Sequence, residues 1–155
     1  IGDSSIIPRL IKANRRSGIP LFRGGHNLVD ITCVENAAIA LRLAIESEAA
    51  VGQVYNITNG EPQEFRAILE ELFRALGETP RYLRLPLGLL YGVATLSERV
   101  YRLFRLDGEP PFTRYTICTL GYSQTLNIEK AKRELGYRPI VSLRAGIRKY
   151  AKGER

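Results

Sequence analysis

Residues 27–44, with the sequence NLVDITCVENAAIALRLA, constrain the fold most, because a strand pattern passes into a helix pattern with no linker between them. Residues 29–34 are apolar and β-branched apart from Asp30 and Thr32, which predicts a short buried or half-buried strand. The next apolar residues recur at helical spacing and predict a mostly buried helix: Ala37, Ala40, Leu41 and Ala44, widened by Ile39 and Leu43. Asn36 is expected to cap this helix by accepting a hydrogen bond from a free backbone N–H group.

Two interpretations of this junction stay open. Its apolar composition favours a purely structural role in the core. Its polar side chains, Asn27, Asp30 and Asn36, would instead suit the wall of a pocket.

Composition favours one globular domain over residues 1–155, since 45% of the residues are hydrophobic and 25% are charged. No apolar run reaches the ~18 residues that a membrane span needs. The opening residues IGDSS lack a signal-peptide pattern, and Cys33 and Cys118 lie in apolar contexts typical of buried thiols. These features predict a cytoplasmic location. His26 is the only histidine, which excludes metal sites with two His ligands, and no metal is expected.

The net charge of +7 suggests an acidic partner, but the basic residues are spread along the chain. They fall on four predicted helices, within residues 9–16, 99–105, 130–133 and 144–152. A nucleic-acid surface concentrates such charge on one patch with aromatic side chains between. Solvated helix faces explain the pattern better, so no nucleic-acid partner is expected. A nucleic-acid binder is the weakest alternative and predicts a steep salt dependence of DNA binding.

Helix and strand patterns alternate along the first half of the chain, which predicts an α/β fold. The expected helices cover residues 5–16, 63–76, 87–106, 114–120, 128–135 and 143–152, and the expected strands cover 19–22, 53–58 and 81–85. Ser142 is expected to cap the last helix. Residues 23–27, RGGHN, are interpreted as a turn alone, because the chain contains no Gly-x-Gly-x-x-Gly and no P-loop lysine.

The segment 87–106 is apolar nearly all round in its first half and basic in its second half. Such a helix suits a buried lid, a membrane-surface element or the roof of an apolar substrate cavity. Packing on the core is the structural alternative.

Four sequence blocks occur in a distinctive order: GGHNLVDITCVENAAIALRLA, GQVYNITNGEP, PPFTR and NIEKAKRELGYRPIVSLRAGI. They resemble the C-terminal half of an extended short-chain dehydrogenase/reductase, in the NAD-dependent epimerase/dehydratase superfamily. Within it, the chain is most similar to the 3β-hydroxysteroid dehydrogenase and sterol-4α-carboxylate 3-dehydrogenase branch. The resemblance implies an α/β fold: the C-terminal substrate-binding lobe of a Rossmann-type reductase, helical with a few short strands and without the Rossmann core.

Enzymes of this family bind NAD or NADP in an N-terminal Rossmann lobe, through a glycine-rich fingerprint, and use a catalytic Tyr-x-x-x-Lys pair. This chain has neither motif, since none of its eight tyrosines is followed by lysine four residues later. The resemblance therefore implies NAD or NADP as the cofactor of a full-length enzyme. The chain itself is expected to be a fragment that lacks catalytic residues, binds no cofactor alone and is inactive.

The resemblance also indicates the substrate class. Nucleotide-sugar enzymes of this superfamily usually carry Arg just before the aspartate of the first block. The forked guanidinium of that Arg binds a diphosphate. This chain has Val29 there, which favours an apolar substrate such as a steroid, a sterol or a long-chain oxo compound. The hypothesised cavity roof comprises Leu87, Leu90, Tyr91 and Ala94, and the floor comprises Ile6, Ile7 and Leu10. Arg114 either orients a carboxylate or braces the fold, and bracing is favoured.

Two alternatives come from other classes. One is a non-enzymatic module that binds an apolar ligand or an anionic membrane surface. The other is the lobe of a nucleotide-sugar epimerase or dehydratase. The expected partners are an apolar small molecule, the missing N-terminal Rossmann domain, a peripheral membrane surface, and a second copy of the chain that covers an apolar patch.

Overall fold

The computed structural model describes residues 6–84, 86–104 and 113–153. In these residues the helices are α1 Ile6–Arg16, α2 Val34–Glu46, α3 Phe65–Ala75, α4 Leu87–Leu103, α5 Arg114–Gly121, α6 Glu129–Leu135 and α7 Leu143–Lys152. The strands are β1 Ile19–Leu21, β2 Leu28–Val29, β3 Gln63–Glu64 and β4 Tyr82–Arg84, with 3-10 turns at Arg23–Gly25 and Glu48–Ala50. The predicted mixture of helices with a few short strands is confirmed. Residue 5 of the first predicted helix, residues 105 and 106 of the helix predicted over 87–106, and residue 85 of one predicted strand lie outside the described residues.

The described residues divide into two compact units, and each unit contains two separate stretches of sequence. Unit 1 contains Leu28–Thr79 and residues 124–153, and unit 2 contains residues 6–27 and Pro80–Ser123. The expectation of a single domain stays a prediction, because a compact unit need not fold independently.

The packing of α3 against α7 forms one part of the core of unit 1. The inner face of α3 follows the predicted i, i+3, i+4 spacing and buries Ile68, Leu69, Leu72 and Phe73. α7 begins where predicted, because the Ser142 hydroxyl accepts a hydrogen bond from the backbone N of Ala145 at 3.2 Å. Leu143 and Ile147 of α7 are buried as well.

A second buried cluster joins α2 to α6. Its members are Ala40, Ile128, Ala131, Leu135 and Tyr137. Tyr137 is fully buried, and its hydroxyl donates to the carbonyl oxygen of Thr58 at 2.9 Å. This bond satisfies the one polar atom that the ring brings into the core.

Unit 2 contains the parallel strand pair β1 and β4, with Ile19 opposite Tyr82 and Leu21 opposite Arg84. The turn that precedes β1 requires glycine, since Gly18 has a φ of 92° and a Cβ there would lie 3.1 Å from the carbonyl oxygen of Arg81. The buried Asn14 of α1 accepts a hydrogen bond from the backbone N of Arg81 at 2.6 Å. These contacts hold α1 beside the strand pair.

The predictions of a strand before and a strand after the central helix are largely wrong. Of residues 29–34 only the first is in a strand, because β2 is limited to its antiparallel pairing with β3. Residues 53–58 form no strand, and Val54 is 82% exposed. A strand needs a neighbouring ladder, and no described residue supplies one for this segment. The predicted cap is wrong too, because α2 begins at Val34 and Asn36 lies inside it.

Two burial predictions are also wrong. Within α2 only Asn36 and Ala40 are buried, whereas Leu41 and Ile45 are 67% and 86% exposed. The side of α2 that carries Leu41 and Ile45 is therefore not covered by another element among the described residues. Cys33 is buried as expected, but Cys118 is exposed.

Candidate functional site

The predicted substrate-binding residues all belong to unit 2. Ile7 lies on α1, Leu90, Tyr91 and Ala94 lie on α4, and Arg114 begins α5. Leu87 is the first residue of α4, and its side chain lies outside the described part of the structure. Ala94 is fully buried, Leu90 and Ile7 are half-buried, and Tyr91 is 44% exposed. The helix of the hypothesised floor, α1, packs against β1, and the helix of the hypothesised roof, α4, packs against α5. Neither contact brings the floor against the roof, so the floor and the roof stay predictions.

Arg114 makes two contacts with Glu98 of α4. Its Nε lies 2.7 Å from one carboxylate oxygen, and its backbone N donates to the other at 2.8 Å. These backbone and side-chain hydrogen bonds hold the pKa of Glu98 below its ordinary value. The pKa of Arg114 is raised, first by its bond to Glu98 and further by one to Tyr91. The guanidinium is thus engaged within the protein, which favours the bracing role over the carboxylate-orienting role.

A continuous apolar stripe runs along the face of α4 that lies opposite the buried Ala94. We call Leu89, Val93, Leu96, Val100 and Leu103 the α4 stripe. These residues follow a 4-3-4-3 spacing, so they lie in one row about 21 Å long. All five side chains are exposed, and Leu96 is 64% exposed. A row of exposed large apolar side chains is typical of a surface that contacts a protein, a membrane or a ligand.

The hypothesised roof and the α4 stripe lie on different faces of α4. Of the roof residues with described side chains, Leu90 and Tyr91 lie on the side of α4 that contains the buried Ala94. The sequence interpretation did not single out the α4 stripe, although its 4-3-4-3 spacing was present in the sequence. The stripe could not be distinguished in the sequence, because residues 87–96 are apolar nearly all round and show no preferred face.

Unit 2 also contains a polar cleft of about 330 Å³. Its lining residues come from two stretches nearly one hundred positions apart in sequence: Arg23, His26 and Asn27, and Gly121, Tyr122 and Ser123. The guanidinium carbon of Arg23 lies 5.8 Å from the centre of the Tyr122 ring, within the range of a cation–π contact. The RGGHN segment was interpreted as a turn alone, and the structure places three of its residues at this cleft.

Asn27 is the distinctive residue of the polar cleft. It is 7% exposed, and neither its amide nitrogen nor its amide oxygen has a hydrogen-bond partner. The other two candidate wall residues serve the fold instead: Asp30 accepts from the backbone N of Leu126 at 2.8 Å, and Asn36 joins a buried network. Of the three polar residues proposed for a pocket wall, only Asn27 lines a cleft.

A third feature lies in unit 1, where α3 and α7 border a cleft of about 260 Å³. Its cationic side chains are Arg74, Arg144, Arg148 and Lys152, and Arg144 pairs with Glu71 at 2.9 Å. Part of the positive charge that is scattered in sequence is therefore gathered on one surface.

Comparison with known proteins identifies the fold first. A dTDP-glucose 4,6-dehydratase from Bacillus anthracis, solved in complex with NAD, superposes with a TM-score of 0.57 at 19% identity, over 92% of this chain and 36% of that one. At this identity the match establishes the fold alone. No protein-family model matches the sequence.

Sequence relatives identify the branch. A 2-alkyl-3-oxoalkanoate reductase of Stenotrophomonas maltophilia is 36% identical over 96% of this chain and 46% of its own length. The sterol-4-alpha-carboxylate 3-dehydrogenase, decarboxylating, of Schizosaccharomyces pombe is 35% identical over 96% of this chain and 45% of its own length. The chain thus spans a little under half the length of these curated relatives. These matches confirm that it resembles the C-terminal half of an extended short-chain dehydrogenase/reductase of the 3β-hydroxysteroid and sterol-4α-carboxylate dehydrogenase branch.

Proposed function

We propose that this chain is the substrate-binding part of an NAD(P)-dependent oxidoreductase that acts on a hydroxyl or keto group of an apolar substrate. A steroid, a sterol or a long-chain oxo compound fits this description. The names of the two relatives, a reductase of an oxoalkanoate and a dehydrogenase of a sterol carboxylate, support the redox chemistry. The observation that carries the apolar part of the proposal is the exposed α4 stripe.

The energetic argument is burial of apolar surface. Each Å² of apolar area removed from water contributes about 25 cal/mol to binding. A row of five exposed aliphatic side chains about 21 Å long would match an extended hydrocarbon or a fused ring system better than it matches a sugar. Within unit 2, Arg114 and Glu98 brace α5 against α4 and so would hold this face in place.

The cofactor site and the catalytic residues are proposed to belong to a separate N-terminal lobe. That lobe would carry the glycine-rich loop for NAD or NADP and the catalytic Tyr-x-x-x-Lys pair, so the chain alone would be inactive. The exposed apolar side chains of unit 1, including Leu41, Ile45 and Val54, would be covered by that lobe or, in its absence, by a second copy of the chain.

Steady-state kinetics of the full-length protein, with a long-chain 3-oxo acid as substrate, tests this proposal. We expect Leu96→Ser on the α4 stripe to raise KM about tenfold, because it removes apolar contact worth about 1.4 kcal/mol. Tyr91→Ala probes the hypothesised roof on the other face, and Tyr91→Phe separates the ring from its hydroxyl. The exposed Ile140 of unit 1 provides the matched control, and Ile140→Ser should leave KM unchanged. Unchanged KM values for both Leu96→Ser and Tyr91→Ala would contradict the apolar-substrate proposal.

A second candidate function is a membrane-surface or apolar-ligand module without catalysis. It is favoured by the combination of the apolar α4 stripe with the exposed basic side chains of Arg99 and Arg102 on the same helix. No helix among the described residues has both the length and the hydropathy to cross a bilayer. This alternative predicts that the 155-residue chain co-sediments with anionic vesicles at 20 mM salt and is released at 500 mM, because salt screens the attraction. Absence of co-sedimentation at low salt would exclude membrane binding.

A further inference from the structure

The basic cleft of unit 1, which we call the α3–α7 cleft, carries an inference about a ligand. We propose that this cleft binds a small, free phosphorylated anion with at least two negative charges. Its cationic side chains come from both helices: Arg74 from α3, and Arg144, Arg148 and Lys152 from α7. The proposal goes beyond the redox function proposed above and does not depend on it, because the whole lining belongs to unit 1.

The α7 side of the cleft contains an arginine whose charge is not balanced. Two other cations of α7 have carboxylate partners: Arg144 pairs with Glu71, and Lys149 pairs with Glu35, each at 2.9 Å. Arg148 lies between them in sequence, is exposed, and lines the cleft. Its guanidinium has no ion pair and no hydrogen bond to any residue that the structure describes. Its charge is therefore left for a ligand.

The α3 side repeats this arrangement. The carboxylates four and three positions before Arg74 are Glu70 and Glu71, which could pair with it on one helix face. Glu70 instead pairs with Arg66 at 2.9 Å, and Glu71 pairs with Arg144 of α7. Within the described ranges, the guanidinium of Arg74 is left without an ion pair or a hydrogen bond. Two unbalanced arginines on different helices thus line one cleft.

Helix stability does not account for the charges on α7. Arg144, Arg148 and Lys152 follow one another at intervals of four residues, and like charges at this spacing destabilise a helix. The first turn of α7 contains Arg144 and no acidic residue, although the helix dipole favours negative charge there. A bound dianion would offset this repulsion. We therefore expect the ligand to raise the melting temperature.

The shape of the cleft indicates a small ligand. Its volume of about 260 Å³ lies below the roughly 300–1,000 Å³ typical of pockets for larger organic ligands. Ala75 and Ala151 also line it, and their short side chains leave space beside the cationic groups. Glu71 engages the Nε of Arg144, which fixes this side chain but uses only part of its N–H donors. Planar guanidinium groups present paired donors that match phosphate oxygens.

The test is a ¹H–¹⁵N NMR titration of the 155-residue chain at constant ionic strength, with inorganic diphosphate and acetate as separate probes. Constant ionic strength removes the contribution of general screening. We expect diphosphate to shift the Nε–H resonances of Arg74 and Arg148 saturably, and acetate to bind at least about tenfold more weakly because it carries less charge. Absence of a saturable shift with diphosphate, or equal affinity for the two probes, would overturn the proposal.

A pair of variants with the same change of charge makes the result specific. Arg148→Gln should weaken diphosphate binding about tenfold without lowering the melting temperature of the ligand-free chain, because it removes two like-charge pairs. The control is Arg138→Gln, at an exposed arginine of unit 1 that does not line the cleft. It should change the affinity less than about twofold. Equal weakening by both variants, or a fall in the melting temperature for Arg148→Gln, would overturn the proposal.

Lipid head groups present the same phosphate chemistry, so a last measurement separates the two sources. Vesicles that contain phosphatidic acid are mixed with the chain in place of diphosphate. Binding to these vesicles without any response to free diphosphate would overturn the proposal in favour of a membrane surface. The result is also independent of the kinetic series on the α4 stripe. A failed titration together with a raised KM for Leu96→Ser would overturn the cleft proposal alone.

Discussion

Replacement of Asn36 by Ala is expected to lower the free energy of unfolding by about 3–5 kcal/mol, because it removes four hydrogen bonds, two of which pair the backbone N–H groups of Ile140 and Val141. The Asn36 side chain is fully buried within α2. Its Oδ1 accepts from the backbone N atoms of Ile140 and Val141 at 2.9 and 3.0 Å. Its Nδ2 donates to Asn59 Oδ1 and to the Val141 carbonyl oxygen, both at 2.7 Å.

Urea unfolding followed by circular dichroism measures this loss of stability. Asn56→Ala is the matched control, because Asn56 is exposed and its amide makes one long bond of 3.4 Å to the backbone of Asn127. We expect the control to change stability by less than about 0.5 kcal/mol. Hydrogen exchange adds a local readout, since the amides of Ile140 and Val141 should lose protection in Asn36→Ala. A stability loss below about 1 kcal/mol, with protection retained, would contradict the role given to this network.

Replacement of Gly146 by Ala is expected to cost about 1–3 kcal/mol of stability, the range typical of overpacking a filled core. A Cβ at this position of α7 would lie 2.6 Å from the Sγ of Cys33. That sulfur is held in place, because Asn59 Nδ2 donates to it at 3.3 Å and Cys33 itself is buried. The methyl group and the sulfur cannot both occupy their places without a shift of the backbone or a rotation of the Cys33 side chain.

A double-mutant cycle with Cys33→Ala checks the origin of this cost. Removal of the sulfur should make Gly146→Ala close to neutral, and the two changes should couple by more than about 1 kcal/mol. Gly88→Ala is the control, since a Cβ at Gly88 of α4 would meet no atom within 4 Å. We expect that substitution to stabilise the chain by about 0.5–1 kcal/mol through helix propensity. An equal cost of Gly146→Ala in both Cys33 backgrounds would contradict the steric explanation.

Local patterns were sufficient to predict most helices. The apolar spacing of α3 specifies both the helix and the face that it buries, and the Ser142 side chain marks the start of α7. These features depend on residues three or four positions apart, so the sequence contains all the information.

Features that depend on distant partners could not be predicted. Asn36 has the residue type of a helix cap, and only its bonds to residues more than one hundred positions later reveal its structural role. Residues 53–58 have strand composition but no ladder partner among the described residues. The polar cleft likewise combines residues 23–27 with residues 121–123, and no spacing rule connects these two segments.

The discontinuous construction of unit 1 has a consequence for the order of folding during synthesis. Its first stretch, Leu28–Thr79, leaves the ribosome long before residues 124–153 exist. Until Ile140 and Val141 emerge, the amide of Asn36 has no backbone partner and must stay hydrated. Closing this network also joins segments about one hundred residues apart, which carries a substantial loop-closure entropy. The central junction of the chain therefore completes its folding only after residues 140 and 141 have left the ribosome.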